Sequence, residues 1–160
     1  MAIHIVLVEP EIPPNTGNIA RSCAATGSVL HLVEPLGFSI DDKSLKRAGL
    51  DYWPFVKLEV HQSLASFMER YGPAGEDRVM YLATTKGERR YTEIRYQDGD
   101  MLLFGRETAG LPQDFIEAHR EKTVRIPMSA DTRLRSLNLS NSVSIVLFEA
   151  LRQLSFPDLR

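Results

Sequence analysis

Arg125-Ile-Pro-Met-Ser-Ala-Asp-Thr-Arg-Leu-Arg-Ser-Leu-Asn-Leu-Ser-Asn-Ser-Val-Ser144 reads as the end of a strand, a polar loop and the start of a helix. The apolar strand ends at Ile126, and the helix is expected to open at Ser136 or Leu137. One Ser at a helix start is a cap, because its oxygen accepts an orphan backbone N–H. Ser136, Asn138, Ser140, Asn141, Ser142 and Ser144 are more small polar groups than a cap requires. Three- and four-residue spacing puts Asn138, Asn141, Ser142 and Ile145 on one face. Leu139, Val143, Val146, Ala150 and Leu154 form an apolar stripe on the other. Such a helix buries one side and presents hydrogen-bonding groups on the other, to a ligand or to another backbone. A capped core helix packed on a partner fits the same residues.

The chain before it alternates in type. Met1 to Val8 is apolar and β-branched without alternation, as in a strand buried on both faces. Glu9-Pro-Glu-Ile-Pro-Pro14 is expected to be a rigid, non-helical turn, after which Asn15 or Thr16 caps a helix ending at Gly27. Further strands are expected at Val29–Glu34, Phe55–Val60, Arg78–Thr84, Asp100–Phe104 and Thr123–Ile126. Helices are expected at Asp41–Gly49, Ser63–Tyr71, from Pro112 to about His119, and at Asn138–Leu154. Gly72-Pro-Ala-Gly-Glu-Asp77 reads as a surface loop. The alternation predicts one α/β domain over residues 1–160, a mostly parallel sheet with helices on both faces. Ligands of such sheets bind beyond the carboxyl ends of the strands. The polar clusters Asn15–Arg21, Thr84–Gly87, Gly105–Gly110 and Met128–Asn141 all follow strands.

Composition excludes several classes. The 160 residues are 43% hydrophobic and 25% charged, with a formal net charge of −2, so no bulk basic charge argues for nucleic acid. Local basic groups remain at Lys43/Lys46/Arg47, Lys86/Arg89/Arg90/Arg95 and Arg125/Arg133/Arg135. The single Cys23 rules out an internal disulfide framework and a Cys-cluster zinc site. His4, His31, His61 and His119 have no second ligand at metal spacing and read as structural or surface residues. No apolar run spans a bilayer, no secretory leader is expected, and a cytoplasmic location is. Neither a Gly-x-Gly-x-x-Gly nor a phosphate-binding loop is present. No serine-hydrolase motif surrounds Ser136 or Ser140. Glu107, between two glycines, reads either as an exposed acid or as an orienting group. Arg21, three residues after Asn18, is either solvated or a clamp for phosphate.

Three stretches taken together carry a resemblance. Asn15-Thr-Gly-Asn-Ile-Ala-Arg21, Leu103-Phe-Gly-Arg-Glu-Thr-Ala-Gly-Leu111 and Ile126-Pro-Met with Ser136-Leu-Asn-Leu-Ser-Asn141 resemble the three motifs of the SPOUT RNA 2′-O-methyltransferases, in order and over essentially the whole chain. Glu9-Pro-Glu-Ile-Pro-Pro-Asn-Thr-Gly-Asn18 and Arg47-Ala-Gly-Leu-Asp-Tyr52 are similar to the compact TrmL type. These methylate the wobble nucleotide 34, cytidine or 5-carboxymethylaminomethyluridine, of tRNA-Leu. The same motifs serve enzymes acting at other RNA sites, and a non-catalytic knotted RNA-binding module stays open as an alternative.

The resemblance implies an α/β sheet with a C-terminal deep trefoil knot, S-adenosylmethionine as methyl donor, and no metal. It also implies a homodimer through the first and last helices, with the tRNA anticodon stem-loop as partner. By correspondence of motifs, Ala83, Gly105, Ile126 and Ser136 would hold the cofactor, with Thr84, Leu111 and Met128 as neighbours. Arg21, Asn15, Glu107, Ser136 and Asn138 would form the catalytic set. An arginine is a poor base, because its pKa stays above ~12, so Arg21 is read as a clamp for a developing alkoxide. The loop 128–135 is about two residues longer than this type's pattern, which adds Leu134 and Arg135 beside the cofactor site.

Overall fold

The computed structural model describes residues 2–72 and 77–160. Its elements are β1 (His4–Val8), α1 (Pro13–Thr26), β2 (Val29–Val33), α2 (Lys43–Gly49), β3 (Lys57–His61), α3 (Leu64–Tyr71) and β4 (Met80–Ala83). They continue as β5 (Arg89–Arg90), β6 (Met101–Phe104), α4 (Gln113–Ala118), β7 (Thr123–Arg125) and α5 (Leu139–Gln153). The seven strands form one sheet in the order β3-β2-β1-β6-β4-β7-β5, and each described pair is parallel. The chain therefore winds outward from β1 to β3, then crosses back to build the other half from β4 onward.

The doubly buried character of β1 follows from its unbroken apolar run. Ile5 and Leu7 pack with Ile19, Ala20 and Cys23 of α1 and Val143, Val146, Leu147 and Ala150 of α5. Val6 and Val8 point the other way, to Phe67 of α3, Leu103 of β6, and Phe115 and Ile116 of α4. Helices thus cover both faces, as the alternation of elements predicted. Cys23 is completely buried, and burial pushes its thiol up to about 12, so it is an inert core residue.

Local departures from the sequence reading have local causes. The prolines at 13 and 14 do not block a helix; they open α1, with Ile12 as the cap residue. A proline in the first turn gives up only an N–H that has no helical partner. The last helix begins at Leu139 rather than Ser136 or Leu137, because the Asn138 side chain accepts the N–H groups of Ser140 and Asn141. Residues 50–55 form a 3₁₀ helix where strand was expected to begin at Phe55. Two-residue β5 adds a seventh strand in a segment read only as polar. Of the predicted loop after α3, residues 73–76 lie outside the described residues.

Phe67 is fully buried and fills the space between α3 and the sheet. Truncation to Ala removes most of that packing, so Phe67→Ala is expected to destabilise the fold by about 3–5 kcal/mol. Urea denaturation would read this as a lowered midpoint at unchanged slope, and an unmoved midpoint would contradict the packing described.

Candidate active site

Beyond the carboxyl ends of β4, β6 and β7 lies a cleft of ≈ 730 Å³. Its walls come from three segments: Ala83–Lys86 after β4, Phe104 and Arg106–Leu111 at and after the end of β6, and Arg125, Ile126 and Met128 at and after the end of β7. Arg135 to Leu139, ahead of and at the start of α5, close one side, and Asn15 of α1 reaches the rim. The position is where an open parallel sheet presents its loops to a ligand.

Glu107 organises this region. Its Oε1 accepts the backbone N–H of Glu11 at 2.9 Å, and its Oε2 accepts that of Ile12 at 2.6 Å. The same Oε2 lies 3.4 Å from Asn15 Nδ2, which donates to it. Asn15 Oδ1 in turn accepts from Asn138 Nδ2 at 3.1 Å. Asn138 Oδ1 faces the opposite way, accepting from Ser140 N at 2.9 Å and the Ser140 hydroxyl at 2.6 Å. The direction of donation is fixed at both ends, since a carboxylate only accepts and the α5 backbone only donates. One chain of hydrogen bonds therefore joins the loop after β6 to the first turns of α1 and α5. Asn15 is buried, and its amide is satisfied on both sides, as a buried amide must be.

The loops before α1 and after β6 are tied a second way. The Glu11 carboxylate accepts the Thr108 hydroxyl at 2.6 Å and its N–H at 3.2 Å, which holds that carboxyl below the usual carboxylate range. Arg106 donates to Glu9 at 2.8 Å. Glu9 itself adopts φ 53°, a left-handed conformation that costs an L-residue energy and turns the chain out of β1. Gly105 is required by close approach: a Cβ there would lie 2.0 Å from the carbonyl carbon of Gly110 and 2.1 Å from Leu111 N.

Of the sequence-predicted cofactor residues, Ala83, Thr84, Leu111, Ile126, Met128 and Ser136 line the cleft, and Gly105 is buried in its loop. Asn15, Glu107 and Asn138 are hydrogen-bonded together, with Glu107 orienting backbone N–H groups rather than a cation or hydroxyl. Arg21 stands apart. It lies on the exposed side of α1, its guanidinium 4.9 Å from the ring centroid of Tyr52, and it does not line the cleft of its own chain. Arg135 lines the cleft and Leu134 is exposed beside it. Within the loop carrying them, Asp131 accepts from the backbone and guanidinium of Arg133.

The histidines depart most from the sequence reading. His4, His31 and His61 are not scattered but stacked across β1, β2 and β3, with Glu59 and Tyr71 beside them. Parallel register supplies the proximity: His31 pairs with Glu59 and Val33 with His61. The signal was present as two histidines in predicted strands and a third just beyond the end of another, but register cannot be read from any one strand. His119 stands apart, its ring bonded to the Phe115 carbonyl.

The profile of the SpoU rRNA Methylase family matches residues 2–148. The tRNA (cytidine(34)-2'-O)-methyltransferase of Escherichia coli (strain K12) is 51% identical, over 97% of this chain and 96% of that protein. A solved structure concerned with the 2-OH methylation of C/U34 on tRNA is similar at a TM-score of 0.89 and 46% identity, covering 96% of this chain and 97% of that one. The SpoU methyltransferase AviRb from Streptomyces viridochromogenes, solved with the cofactor AdoMet, matches at a TM-score of 0.84 and 26% identity, over 96% of this chain and 61% of that one.

Two substitutions test the construction of the site. Glu107→Gln places an NH₂ where one backbone N–H needs an acceptor, at an expected cost of about 1–3 kcal/mol. Amide hydrogen exchange at Glu11 and Ile12 should accelerate, and unchanged protection there would remove Glu107 from its organising role. Gly105→Ala forces a methyl group onto backbone, so ligand affinity of the cleft should fall by at least ~10-fold, a displacement of about 1.4 kcal/mol. Retained affinity in that variant would contradict the close approach.

Proposed function

The chain belongs to the SpoU rRNA methylase family, and on that footing we propose that it methylates the ribose 2′-hydroxyl of nucleotide 34 in a tRNA. The observation that carries this reading is the hydrogen-bonded union of Glu107, Asn15 and Asn138 at the rim of the cleft. Three segments far apart in sequence meet there to shape one reaction site. The full-length similarity to an enzyme named for that reaction supports cytidine 34 of a tRNA as substrate; we extend it to 5-carboxymethylaminomethyluridine 34, to tRNA-Leu met in its anticodon stem-loop, and to the cytoplasm.

The cleft fits S-adenosylmethionine. Apolar Ala83, Leu111 and Ile126 offer contact for an adenine, while Thr84 and Ser136 bring hydroxyls and Met128 its backbone, and the tight turn at Gly105 lets backbone approach. The cofactor supplies an electrophilic methyl on a sulfonium, so the protein's task is to position the hydroxyl and accommodate the loss of its proton. Asn15, Glu107, Ser136 and Asn138 hold the geometry without a metal. Arg21 stabilises the developing alkoxide as a fixed positive charge. It lies outside its own chain's cleft, on the side of α1 that a homodimer through α1 and α5 would cover. The exposed Ile12 and Phe148 support that interface.

The 160 residues act as one domain whose C-terminal segment is threaded as a trefoil knot. Supporting this is the close wrap of 84–88 about β7. Thr84 N donates to Val124 O at 3.0 Å, Arg125 donates to Gly87 O and Glu88 O, and a Cβ at Gly87 would sit 2.3 Å from Val124 C.

The test is transfer of labelled methyl from S-adenosylmethionine to unmodified tRNA, followed by mapping of the labelled nucleotide. Label at the 2′-O of nucleotide 34 is expected, and label elsewhere would assign another RNA site. Arg21→Ala should lower turnover at least ~100-fold, as loss of one preorganised donor does, while cofactor affinity is kept. Undiminished turnover would remove Arg21 from the reaction.

A further inference from the structure

On the β2–β3 side of the sheet, beneath α3, His31, Glu59 and His61 converge without sharing any residue with the cleft. His31 is fully buried, His61 is 6% exposed and the Glu59 side chain 33%. Burying two imidazoles beside a half-buried carboxylate is costly unless each polar atom is used. Here the used atoms point inward to a common centre. His31 Nδ1 lies 3.0 Å from His61 Nε2 and 3.4 Å from Glu59 Oε2, and His61 Nε2 lies 3.7 Å from that same oxygen.

We propose that His31, Glu59 and His61 form a binding site for a divalent transition-metal ion of the Zn²⁺ class. The distances carry the argument. A circle through the three atoms has a radius of about 2.0 Å, so an ion ~2.1 Å from each would stand slightly above their plane, as in a tetrahedral zinc site with one position left for water. Two imidazoles and one carboxylate select Zn²⁺, Co²⁺ or Ni²⁺ over Mg²⁺ and Ca²⁺, which take oxygen ligands.

The surrounding groups are those that orient metal ligands. His4 Nδ1 lies 2.8 Å from His31 Nε2. With the proton on His31 Nε2, donated to His4, Nδ1 keeps a lone pair facing the centre. The Tyr71 hydroxyl donates to Glu59 Oε2 at 2.6 Å, fixing the carboxylate. Burial lowers the pKa of both His31 and His61, which keeps them in the neutral form that binds metal. Glu59 sits opposite His31 on the neighbouring strand and two residues before His61, so the scaffold is the sheet itself. The partial exposure of Glu59 gives an ion its way in. Binding would clasp edge strand β3 to β2 and, through Tyr71, to α3.

The test uses tag-free, chelator-stripped full-length protein titrated with Co²⁺ and Zn²⁺. One equivalent of Co²⁺ with the visible bands of tetrahedral coordination is expected, displaced by Zn²⁺, with a rise in Tm of roughly 5 °C at saturating Zn²⁺. Glu59→Gln and His61→Gln should abolish the bands, and Tyr71→Phe, which keeps all three ligands, should weaken affinity about 10–100-fold. No saturable uptake by the unaltered protein would overturn the proposal. So would uptake that survives both Gln substitutions; in either case the cluster is a hydrogen-bonded histidine network only. The readout does not involve methyl transfer, so it stands independently of the reaction assigned to the cleft.

Discussion

A single carboxylate holds the rim of the cleft together. Helix α1 begins without a side-chain cap of its own, so its incoming N–H groups need an acceptor from elsewhere. Glu107 supplies it from a loop more than ninety residues away, taking two backbone donors and the Asn15 amide at once. A negative group at a helix N-terminus is also favoured by the helix dipole. Because Asn15 is held by Glu107, its carbonyl is aimed at Asn138. Because Asn138 is engaged on both sides, α5 starts where it does. Remove the acid, and the relative placement of three loops loses its common reference.

The α/β class, the parallel sheet and the clustering of polar loops at one end were legible in the sequence, because they follow from hydrophobic pattern and from loop position. What was not legible depends on partners distant in sequence. Glu107 read more naturally as an exposed acid, since nothing near it in the chain reveals two waiting N–H groups at Glu11 and Ile12. The prolines at 13 and 14 were misread because a proline's effect changes sign between a helix interior and its first turn. Strand β5 is too short to leave a periodic signal. The histidine cluster needs the register of three strands, which only the assembled sheet defines. Arg21 is the converse case: its motif is legible, but its place in one chain does not bring it to the cleft.

The two halves of the sheet divide the labour. Strands β4, β6 and β7 end in the loops that build the cleft, and close backbone approaches at Gly87 and Gly105 fall in those loops. Strands β2 and β3 carry His31, Glu59 and His61 and no cleft residue. Central β1 belongs to both, packing α1 and α5 on one face and α3 on the other. A perturbation in either half therefore reaches the other mainly through β1 and the buried face of α1, which are closely packed and have little freedom to shift.

The outermost strands have a further consequence, for what the protein does at high concentration. An open sheet leaves two rows of unpaired backbone groups that another chain could extend, and natural proteins blunt such edges with brevity and charge. At one border stands β5, only two residues long and both arginines, with side chains tied back to the Glu121 carbonyl and to Glu93. At the other stands β3, which interleaves Lys57 and Glu59 with its apolar residues. Neither border offers the long, flat, uncharged ribbon that edge-to-edge aggregation requires, so the sheet resists open-ended growth although it never closes into a barrel.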